Sequence, residues 1–263
     1  HFGIGRADKP GTNVPYTTML ITGTDKETAF ATELPPGPYI FQAEGASHRQ
    51  SAPVSLATPV GGDDTPTKVK LTLPEPAMLS YHVTDVDGHL IPAKLSIVGA
   101  TPPLLPGVAP ISEHSIPGLV AVHHSLTGDS TQNTQWDHPV AVAPGTYRIV
   151  ISRGPEWTRF EQKLTLTAGA QVMLTPVLER VIDTTGYLAC DFHQHSINSP
   201  DSMVGLEQRV INNLNEGVEF VSSSDHDFVT DYRPVIARLN ARSLMDSIPG
   251  EEMTPFGYGH FIT

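Results

Sequence analysis

The first 180 residues carry short runs in which apolar and polar side chains alternate. Clear examples are Ala93–Val98, Tyr147–Ser152 and Gln171–Leu174, and turn sequences such as Asp87-Gly88 separate the runs. A period of two is typical of a strand that buries one face, and Gly-containing pairs favour tight turns. Twenty of the 24 prolines also lie in this region, where they disfavour helices but are tolerated in turns and edge strands. The pattern predicts an all-β region.

A short pattern occurs twice within this region. Residues 36–41 and 144–149 both read Pro-Gly-x-Tyr-x-apolar, and the two tyrosines, Tyr39 and Tyr147, are 108 residues apart. A tight turn that leads into a strand would give this pattern, although a chance match is the alternative for so short a motif. We expect two β-sandwich domains, at residues 1–76 and 77–179, with a long insertion loop at residues 101–137.

After residue 180 the spacing of the apolar residues changes. Apolar runs at Tyr187–Phe192, Val218–Val221 and Ile248–Met253 predict buried strands, and helical periodicity at Leu206–Glu216 and Asp231–Arg242 predicts a helix between each pair of strands. Alternation of strands and helices is typical of a parallel sheet with right-handed crossovers. In such sheets the functional side chains lie at the carboxyl ends of the strands.

Imidazole and carboxylate side chains follow those predicted strands. His193 and His195 are two residues apart, so an extended backbone points both rings the same way, and Asp201 follows in a polar loop. Each later strand is also followed or led by a histidine or a carboxylate. Imidazole and carboxylate ligands suit Zn, Mn or Fe. The sequence therefore predicts a metal site made of His193, His195, Asp201, His226, His260 and the Glu251-Glu252 pair.

Each of these signals has an ordinary explanation when it stands alone. A lone His-x-His is common, Asp225-His226-Asp227 fits a capped turn, Glu251-Glu252 fits a solvated pair, and His260 fits a structural histidine. Their joint occurrence at successive strand ends of one predicted sheet is what indicates a metal site. The histidines of the β-rich half show no such arrangement, and we expect them to be solvated or hydrogen-bonded.

Composition and charge exclude several classes of protein. The 263 residues include 16 Lys and Arg against 28 Asp and Glu, a formal charge of −12, so we expect cations as partners and no nucleic acid. No run of about 18 apolar residues occurs, so no transmembrane segment is predicted. The one cysteine, Cys190, excludes an internal disulfide framework and is expected to be a buried hydrophobe. The Gly-x-Ser-x-Gly motif of serine hydrolases is absent.

Two parts of the chain resemble known families. Residues 83–95 contain a strand, an acidic Gly turn, Pro92-Ala93 and a second strand, and they resemble the carboxypeptidase-regulatory or transthyretin-like β-sandwich, a structural and interaction module. Residues 187–263 resemble the first part of a domain of the polymerase and histidinol phosphatase (PHP) superfamily of metal-dependent hydrolases, and the chain as a whole is most similar to its carbaryl-hydrolase-like branch. The motifs that carry this resemblance are Asp191-x-His193-x-His195-Ser196, Ser199-x-Asp201-Ser202, Glu216-Gly217, Ser224-Asp225-His226-Asp227, Gly250-Glu251-Glu252-Met253-Thr254 and Gly259-His260.

The PHP resemblance implies a multidomain β plus α/β fold. Two N-terminal β-sandwiches would be followed, at residues 180–263, by the first part of a distorted (β/α)7 barrel. The complete site would hold two or three divalent metal ions, and the family's Gly-x-Glu pattern selects Glu252 from the acidic pair. The implied ligands, ion by ion, are His193, His195 and Glu252 for the first, Glu252 and His260 for the second, and Asp201 and His226 for the third.

The resemblance also implies hydrolysis by a metal-bridged hydroxide, with no protein side chain as the nucleophile. The expected substrate is a small-molecule phosphoester. Carbamate or carboxyl ester cleavage at the same site is one alternative, and a surface-binding β-sandwich protein with an inactive barrel is another. The family's later ligands would lie beyond Thr263, so we expect a missing C-terminal part or a second polypeptide to complete the barrel, and weak activity without it. The sandwich modules favour a periplasmic or secreted location.

Overall fold

The computed structural model describes residues 2–6, 13–19, 33–45, 49–58, 67–99 and 119–263. Over these residues the chain is mostly β-sheet with few helices, arranged in several sheets, which confirms the predicted β-rich character. The first strands form one antiparallel sheet in the order β2-β1-β3-β4. Their bounds are β1 Phe2–Arg6, β2 Asn13–Met19, β3 Gly37–Ala43 and β4 Val54–Thr58.

One face of this first sheet is covered by a segment that is not a strand. Ile4, Tyr39 and Phe41 are buried together, and Val69 and Leu71 pack against them. The alternation at residues 68–73 predicts a strand, but this prediction is wrong, because the segment pairs with no strand of the described residues. Alternating apolar residues indicate which side chains face a core, and that orientation does not require a hydrogen-bonded neighbour.

The next strands build a β-sandwich. One sheet has the order β10-β9-β6-β7 and the facing sheet has the order β11-β5-β8. Both sheets contribute to one core, in which Leu79 and Tyr81 of β5 meet Leu95, Ile97 and Ile149 of the other sheet. The bounds are β5 Ala77–Tyr81, β6 Ala93–Val98, β7 Leu119–Ser125, β8 Val140–Val142, β9 Gly145–Ser152, β10 Phe160–Leu166 and β11 Gln171–Leu174.

The two copies of the Pro-Gly-x-Tyr pattern adopt the same local structure. The hydroxyl of Tyr39 donates to the carbonyl of Pro35 at 2.8 Å, and the hydroxyl of Tyr147 donates to the carbonyl of Ala143 at 2.9 Å. Both tyrosines are buried, and both bonds reach back four residues. A tyrosine that clamps the turn before its own strand is a recurrent device in β-sandwiches. The two copies of the Pro-Gly-x-Tyr pattern are therefore alike in their hydrogen bonding as well as in their sequence.

The prediction of an insertion loop at residues 101–137 is wrong for residues 119–125, which form a strand. Residues 119–125 form β7, which pairs with β6 along its whole length, and residues 100–118 lie outside the described residues. The apolar run Leu119–Val122 is a normal strand signal, but the Pro- and Gly-rich sequence before it and the polar sequence after it obscured that signal. A short 3-10 helix at Ser130–Gln132 follows β7.

The C-terminal part alternates strands and helices as predicted. β12 (Cys190–Asp191), β13 (Phe220–Ser222) and β14 (Asp246–Ile248) pair in parallel, with α1 (Leu206–Asn215) and α2 (Arg233–Arg238) between them. Val221 and both helices share one core on a single side of the sheet. Among the described residues the sheet has these three strands and stays open, so a closed barrel remains a prediction.

The predicted strand Ile248–Met253 is divided. Pro249 cannot donate a backbone hydrogen bond, so β14 ends at Ile248 and a separate strand, β15 (Glu252–Met253), begins after Gly250. β15 pairs antiparallel with β16 (Phe261–Ile262) and forms a hairpin. His260 therefore precedes a hairpin strand, instead of leading a further parallel strand. No helix in the described part of the chain is long and apolar enough to span a membrane.

The end of α1 is joined to the β-sandwich by polar contacts. The side-chain amide of Asn215 donates to the carbonyl of Ser125 at 2.7 Å and accepts from its N–H at 3.2 Å, while Lys94 forms an ion pair with Glu216. At Gly154 the backbone has a φ of +77°, and a Cβ placed there would lie 1.9 Å from the carbonyl oxygen of Glu216. Only glycine permits this approach.

We expect Gly154→Ala to destabilise the protein by about 3 kcal/mol, because it combines left-handed backbone strain with a backbone clash. Gly169→Ala is the matched control, since Gly169 has a φ of +73° but no atom within 4 Å of an added Cβ. The control should lose about 1 kcal/mol from strain alone. Urea unfolding monitored by tryptophan fluorescence measures both values, and equal losses would contradict the packing account.

β7 carries a histidine in a half-buried polar contact. Nδ1 of His123 lies 2.5 Å from the hydroxyl of Tyr81, and the ring stacks edge-on against His138 with centroids 4.5 Å apart. Burial, together with the neighbouring His138 and His124, lowers the pKa of His123 to about 4. Burial also raises the pKa of Tyr81, so the phenol stays protonated and donates to the neutral ring.

This pKa predicts a loss of stability in acid. The histidine takes up a proton near pH 6.5 in the unfolded chain but only near pH 4 in the folded chain. Protonation therefore favours the unfolded chain, and the free energy of unfolding falls as the pH drops from about 6.5 to about 4. We expect His123→Gln to lose less stability than the natural chain between pH 7 and pH 4, by roughly 2 kcal/mol. His89→Gln, at an exposed histidine, is the control. Urea unfolding at each pH gives the comparison, and identical pH profiles would contradict it.

Candidate metal centre

The predicted ligands converge beside the carboxyl end of the parallel sheet. Two histidines and an aspartate lie in the loop after β12, a third histidine follows β13, and a glutamate and the last histidine lie on the β15–β16 hairpin. They fall into three overlapping groups in which candidate ligand atoms lie within 4.8 Å of one another. The groups are His193, His195 and Glu252; His195, Asp201 and His226; and His226, Glu252 and His260.

Glu252 lies at the centre of this cluster. Its Oε2 is 3.3 Å from Nε2 of His193 and 3.3 Å from Nε2 of His195, and it is 3.7 Å from Nδ1 of His226. Its Oε1 is 2.9 Å from Nδ1 of His260. One carboxylate therefore faces four imidazole rings. The two oxygens point to different histidines, which is the arrangement that a bridging carboxylate needs.

Asp201 lies on the solvent side of the cluster. Its Oδ2 is 3.4 Å from Nε2 of His226, and its Oδ1 is 3.3 Å from Nδ1 of His195. The hydroxyl of Ser199 donates to Oδ1 at 2.6 Å, and this bond is the main reason that the pKa of Asp201 lies below its usual value. The carboxylate is therefore charged at neutral pH and available to a cation.

The residues present fit a divalent metal ion. The Glu252 side chain is 4% exposed, and its Oε2 is a buried oxygen for which the described residues provide no hydrogen-bond donor. A buried, unpartnered carboxylate oxygen is costly unless it binds a cation. The donor set consists of imidazole nitrogens and carboxylate oxygens without sulfur, which suits Zn, Mn or Fe.

A buried aspartate that sequence reasoning did not assign holds the loops in place. Asp225 is fully buried, and it accepts hydrogen bonds from the N–H and hydroxyl of Ser196 and from the hydroxyls of Ser223 and Thr230. These bonds tie the loop after β12 to the loop after β13. Since its oxygens are saturated by donors, Asp225 is a structural anchor, and its neighbour His226 is the residue that faces the cluster. The run of serines that directly precedes Asp225 is the sequence signal that could have identified it.

Three further hydrogen bonds support the loop that carries the first two histidines. The guanidinium of Arg209 on α1 donates to the carbonyl of His195, and the hydroxyl of Ser202 donates to the same oxygen at 3.2 Å. The carbonyl of Gln194 accepts from the N–H of Ser224 at 3.0 Å. The extended backbone of this loop is therefore pinned on both sides, which keeps His193 and His195 directed at Glu252.

Gly250 permits the close approach of β15 to the sheet. A Cβ placed there would lie 2.4 Å from the carbonyl oxygen of Ser223 and 2.5 Å from the hydroxyl of Ser222. Steric crowding therefore explains why the first position of the Gly-x-Glu pattern is a glycine. Without it, the backbone that positions Glu252 two residues later would have to move.

We expect Gly250→Ala to cost about 1 to 3 kcal/mol of stability and to weaken zinc binding, because the added methyl meets a backbone atom. Gly205→Ala is the control, since no atom lies within 4 Å of a Cβ at that position. Urea unfolding and calorimetric zinc titration provide the two measurements. Equal behaviour of the two variants in both experiments would show that the close approach has no role in positioning Glu252.

Other titratable groups stand apart from this cluster. Asp85, Asp87 and His89 also lie close together in the sandwich, but the Asp85 carboxylate accepts from the N–H groups of Asp87 and His89, which is the hydrogen bonding of a turn. The prediction that Cys190 is buried is wrong. Cys190 is exposed, because it lies on a face of the parallel sheet that the described residues do not cover.

Comparisons with known proteins add no assignment. No protein-family model matches the chain, and a search of curated proteins finds no significant match. Two crystal structures of BcpA, the major pilin subunit of Bacillus cereus, match with TM-scores of 0.26 and 0.27 at 10% and 9% identity. The matches cover 55% and 56% of this chain and 40% of each pilin chain. TM-scores this low do not establish a shared fold, and nothing follows from them for this chain.

Proposed function

We propose that this chain carries the site of a divalent-metal-dependent hydrolase that cleaves a small-molecule phosphoester. The observation that carries the proposal is the buried Oε2 of Glu252, which lacks a hydrogen-bond donor among the described residues and lies 3.3 Å from one nitrogen each of His193 and His195. Two imidazoles and one carboxylate are a common ligand set for a catalytic zinc ion, which keeps a fourth position open. The formal charge of −12 also favours cation binding.

Ions bound here would lower the pKa of a coordinated water and polarise the group under attack. The residues of the chain would hold those ions at the boundary between protein and solvent. Glu252 is buried, whereas the side chains of His193, Asp201 and His260 are each more than half exposed. A substrate can therefore approach from the exposed side, while the buried side keeps water away from the central carboxylate.

The reaction class is supported by the resemblance to the PHP superfamily. Cation-bound sites suit an anionic phosphoester, because bound cations offset the negative charge of both the substrate and this acidic chain. Carbamate or carboxyl ester cleavage uses the same chemistry and is the competing reaction. Phosphoester cleavage is the proposed reaction, and the rates of cleavage of a phosphodiester and of a carbamate distinguish it from the competing one.

We further propose that additional polypeptide, either a C-terminal continuation or a second chain, covers the open face of the parallel sheet. Phe192 and Phe220 pack edge to face there with centroids 6.2 Å apart, and Phe192 and Ile248 remain about half exposed. Parallel sheets normally have both faces covered. Among the described residues, the helices α1 and α2 cover the side of Val221, and no element covers the opposite face, so we infer that further polypeptide packs there.

The proposal is tested by metal binding and hydrolysis. After treatment with a chelator, the chain is titrated with Zn²⁺ and Mn²⁺ by calorimetry, and its metal content is measured by mass spectrometry. We expect at least one tightly bound ion, and Glu252→Gln, which keeps the shape but removes the charge, should abolish tight binding. Metal-dependent cleavage of bis(p-nitrophenyl) phosphate in preference to p-nitrophenyl carbamates supports the phosphoester assignment.

His89→Ala is the matched control, because it removes an exposed histidine from the acidic turn in the sandwich. This variant should bind metal as the natural chain does. Protein that keeps its fold but binds no metal would contradict the proposal and favour the surface-binding alternative. Cleavage of carbamates alone would keep the metal site and replace the substrate class.

A further inference from the structure

The hydroxyl of Ser199 contacts three groups of the candidate site at once. It donates to Oδ1 of Asp201 at 2.6 Å, accepts from the N–H of His226 at 3.2 Å and lies 3.1 Å from Nδ1 of His195. Ser199 is buried, so these contacts are not shared with bulk solvent. A serine hydroxyl has one hydrogen to donate and two lone pairs that accept.

These contacts determine which nitrogen of His195 remains free. An ionised carboxylate only accepts, so the single Ser199 hydrogen goes to Asp201. Nδ1 of His195 must then carry the hydrogen and donate to Ser199. The lone pair of His195 is left on Nε2, which lies 3.3 Å from Oε2 of Glu252.

Thr254 makes the equivalent contact with His226. Its hydroxyl lies 2.6 Å from Nδ1 of His226 and can donate to the carbonyl of Glu252 at 3.2 Å. Nδ1 of His226 is thus occupied by a hydrogen bond and cannot bind an ion. The lone pair of His226 is then on Nε2, which lies 3.4 Å from Oδ2 of Asp201.

We propose that Ser199 and Thr254 are positioning residues that hold His195 and His226 with Nε2 as the ligand atom. With Nε2 as the ligand atom, His195 faces the ion at Glu252 and His226 faces a separate ion at Asp201, as in the ligand sets that the PHP resemblance implies. This inference rests on the proposed metal-dependent function. It resolves the overlap among the three groups, because proximity alone would let His195 join Asp201 and would let His226 join Glu252 and His260.

The two ions differ in the number of ligands that the described residues supply, and therefore in how tightly they are expected to bind. His193, His195 and Glu252 provide three ligand atoms for one ion. Asp201 and His226 provide two for another, so this ion is the weaker one and depends most on the orientation of its histidine. Groups that hold a ligand imidazole through its other nitrogen typically contribute a factor of about 10 to 100 to metal affinity.

The test uses the zinc-loaded full chain and has a spectroscopic readout. Long-range ¹H–¹⁵N spectra of the histidine rings distinguish coordination through Nε2 from coordination through Nδ1, and His195→Ala and His226→Ala assign the signals. We expect both rings to coordinate through Nε2 and to keep a hydrogen on Nδ1. Calorimetry of Thr254→Val should show an affinity about tenfold or more lower for the weaker ion only.

Thr254→Ser keeps a hydroxyl at this position and should keep the affinity for the weaker ion. Ser199→Ala should lower the affinity for both ions. Thr165→Val is the control, because it makes the same change as Thr254→Val at an exposed threonine of β10, whose hydroxyl contacts Thr146 in the β-sandwich. Circular dichroism establishes that each variant is folded. Coordination of either ring through Nδ1, or equal affinities of Thr254→Val and Thr254→Ser, would overturn the assignment while the metal site itself stands. Absence of zinc binding in the natural chain would overturn the proposed function and the assignment together.

Discussion

The arrangement of the C-terminal part depends on one electrostatic constraint, the burial of the Glu252 carboxylate. A buried charge must be neutralised or bound, and the described residues leave one of its oxygens without a donor while four imidazoles surround it. A second buried carboxylate, Asp225, meets the same constraint in the opposite way, because serine and threonine donors saturate it. The aspartate thus holds the loops together, whereas the glutamate keeps one oxygen that the described residues leave without a donor.

The β-sandwich contributes to this site indirectly. Its strands β6 and β7 contact the end of α1 through Lys94 and Ser125, and Gly154 lets the two backbones approach closely. α1 in turn carries Arg209, which bonds the carbonyl of His195. A chain of direct contacts therefore runs from the sandwich through one helix to a ligand loop. Through these contacts, the sandwich helps to position the loop that carries His193 and His195.

Agreement between sequence and structure was closest where a periodic signal was strong. The strands Ala93–Val98 and Gln171–Leu174 and the helix beginning at Leu206 lie where alternation and helical spacing predict them. The errors have local causes. β7 was hidden by irregular sequence on both sides, Pro249 divides one predicted strand into two, and exposure of Cys190 depends on a sheet face that periodicity cannot describe.

For the site, the sequence by itself determined the residue types and their order. Histidines two apart after a strand, and acids after later strands, already indicated an imidazole and carboxylate cluster, because parallel strands end at one edge. Only the tertiary structure decided which atoms meet. The unpartnered oxygen of Glu252 arises from burial. The bond from Ser196 to Asp225, the bond from the N–H of His226 to Ser199 and the contact of Thr254 with the His226 ring join residues 27 to 29 positions apart. Sequence spacing carries no information about such contacts, since they form only when separate loops pack together.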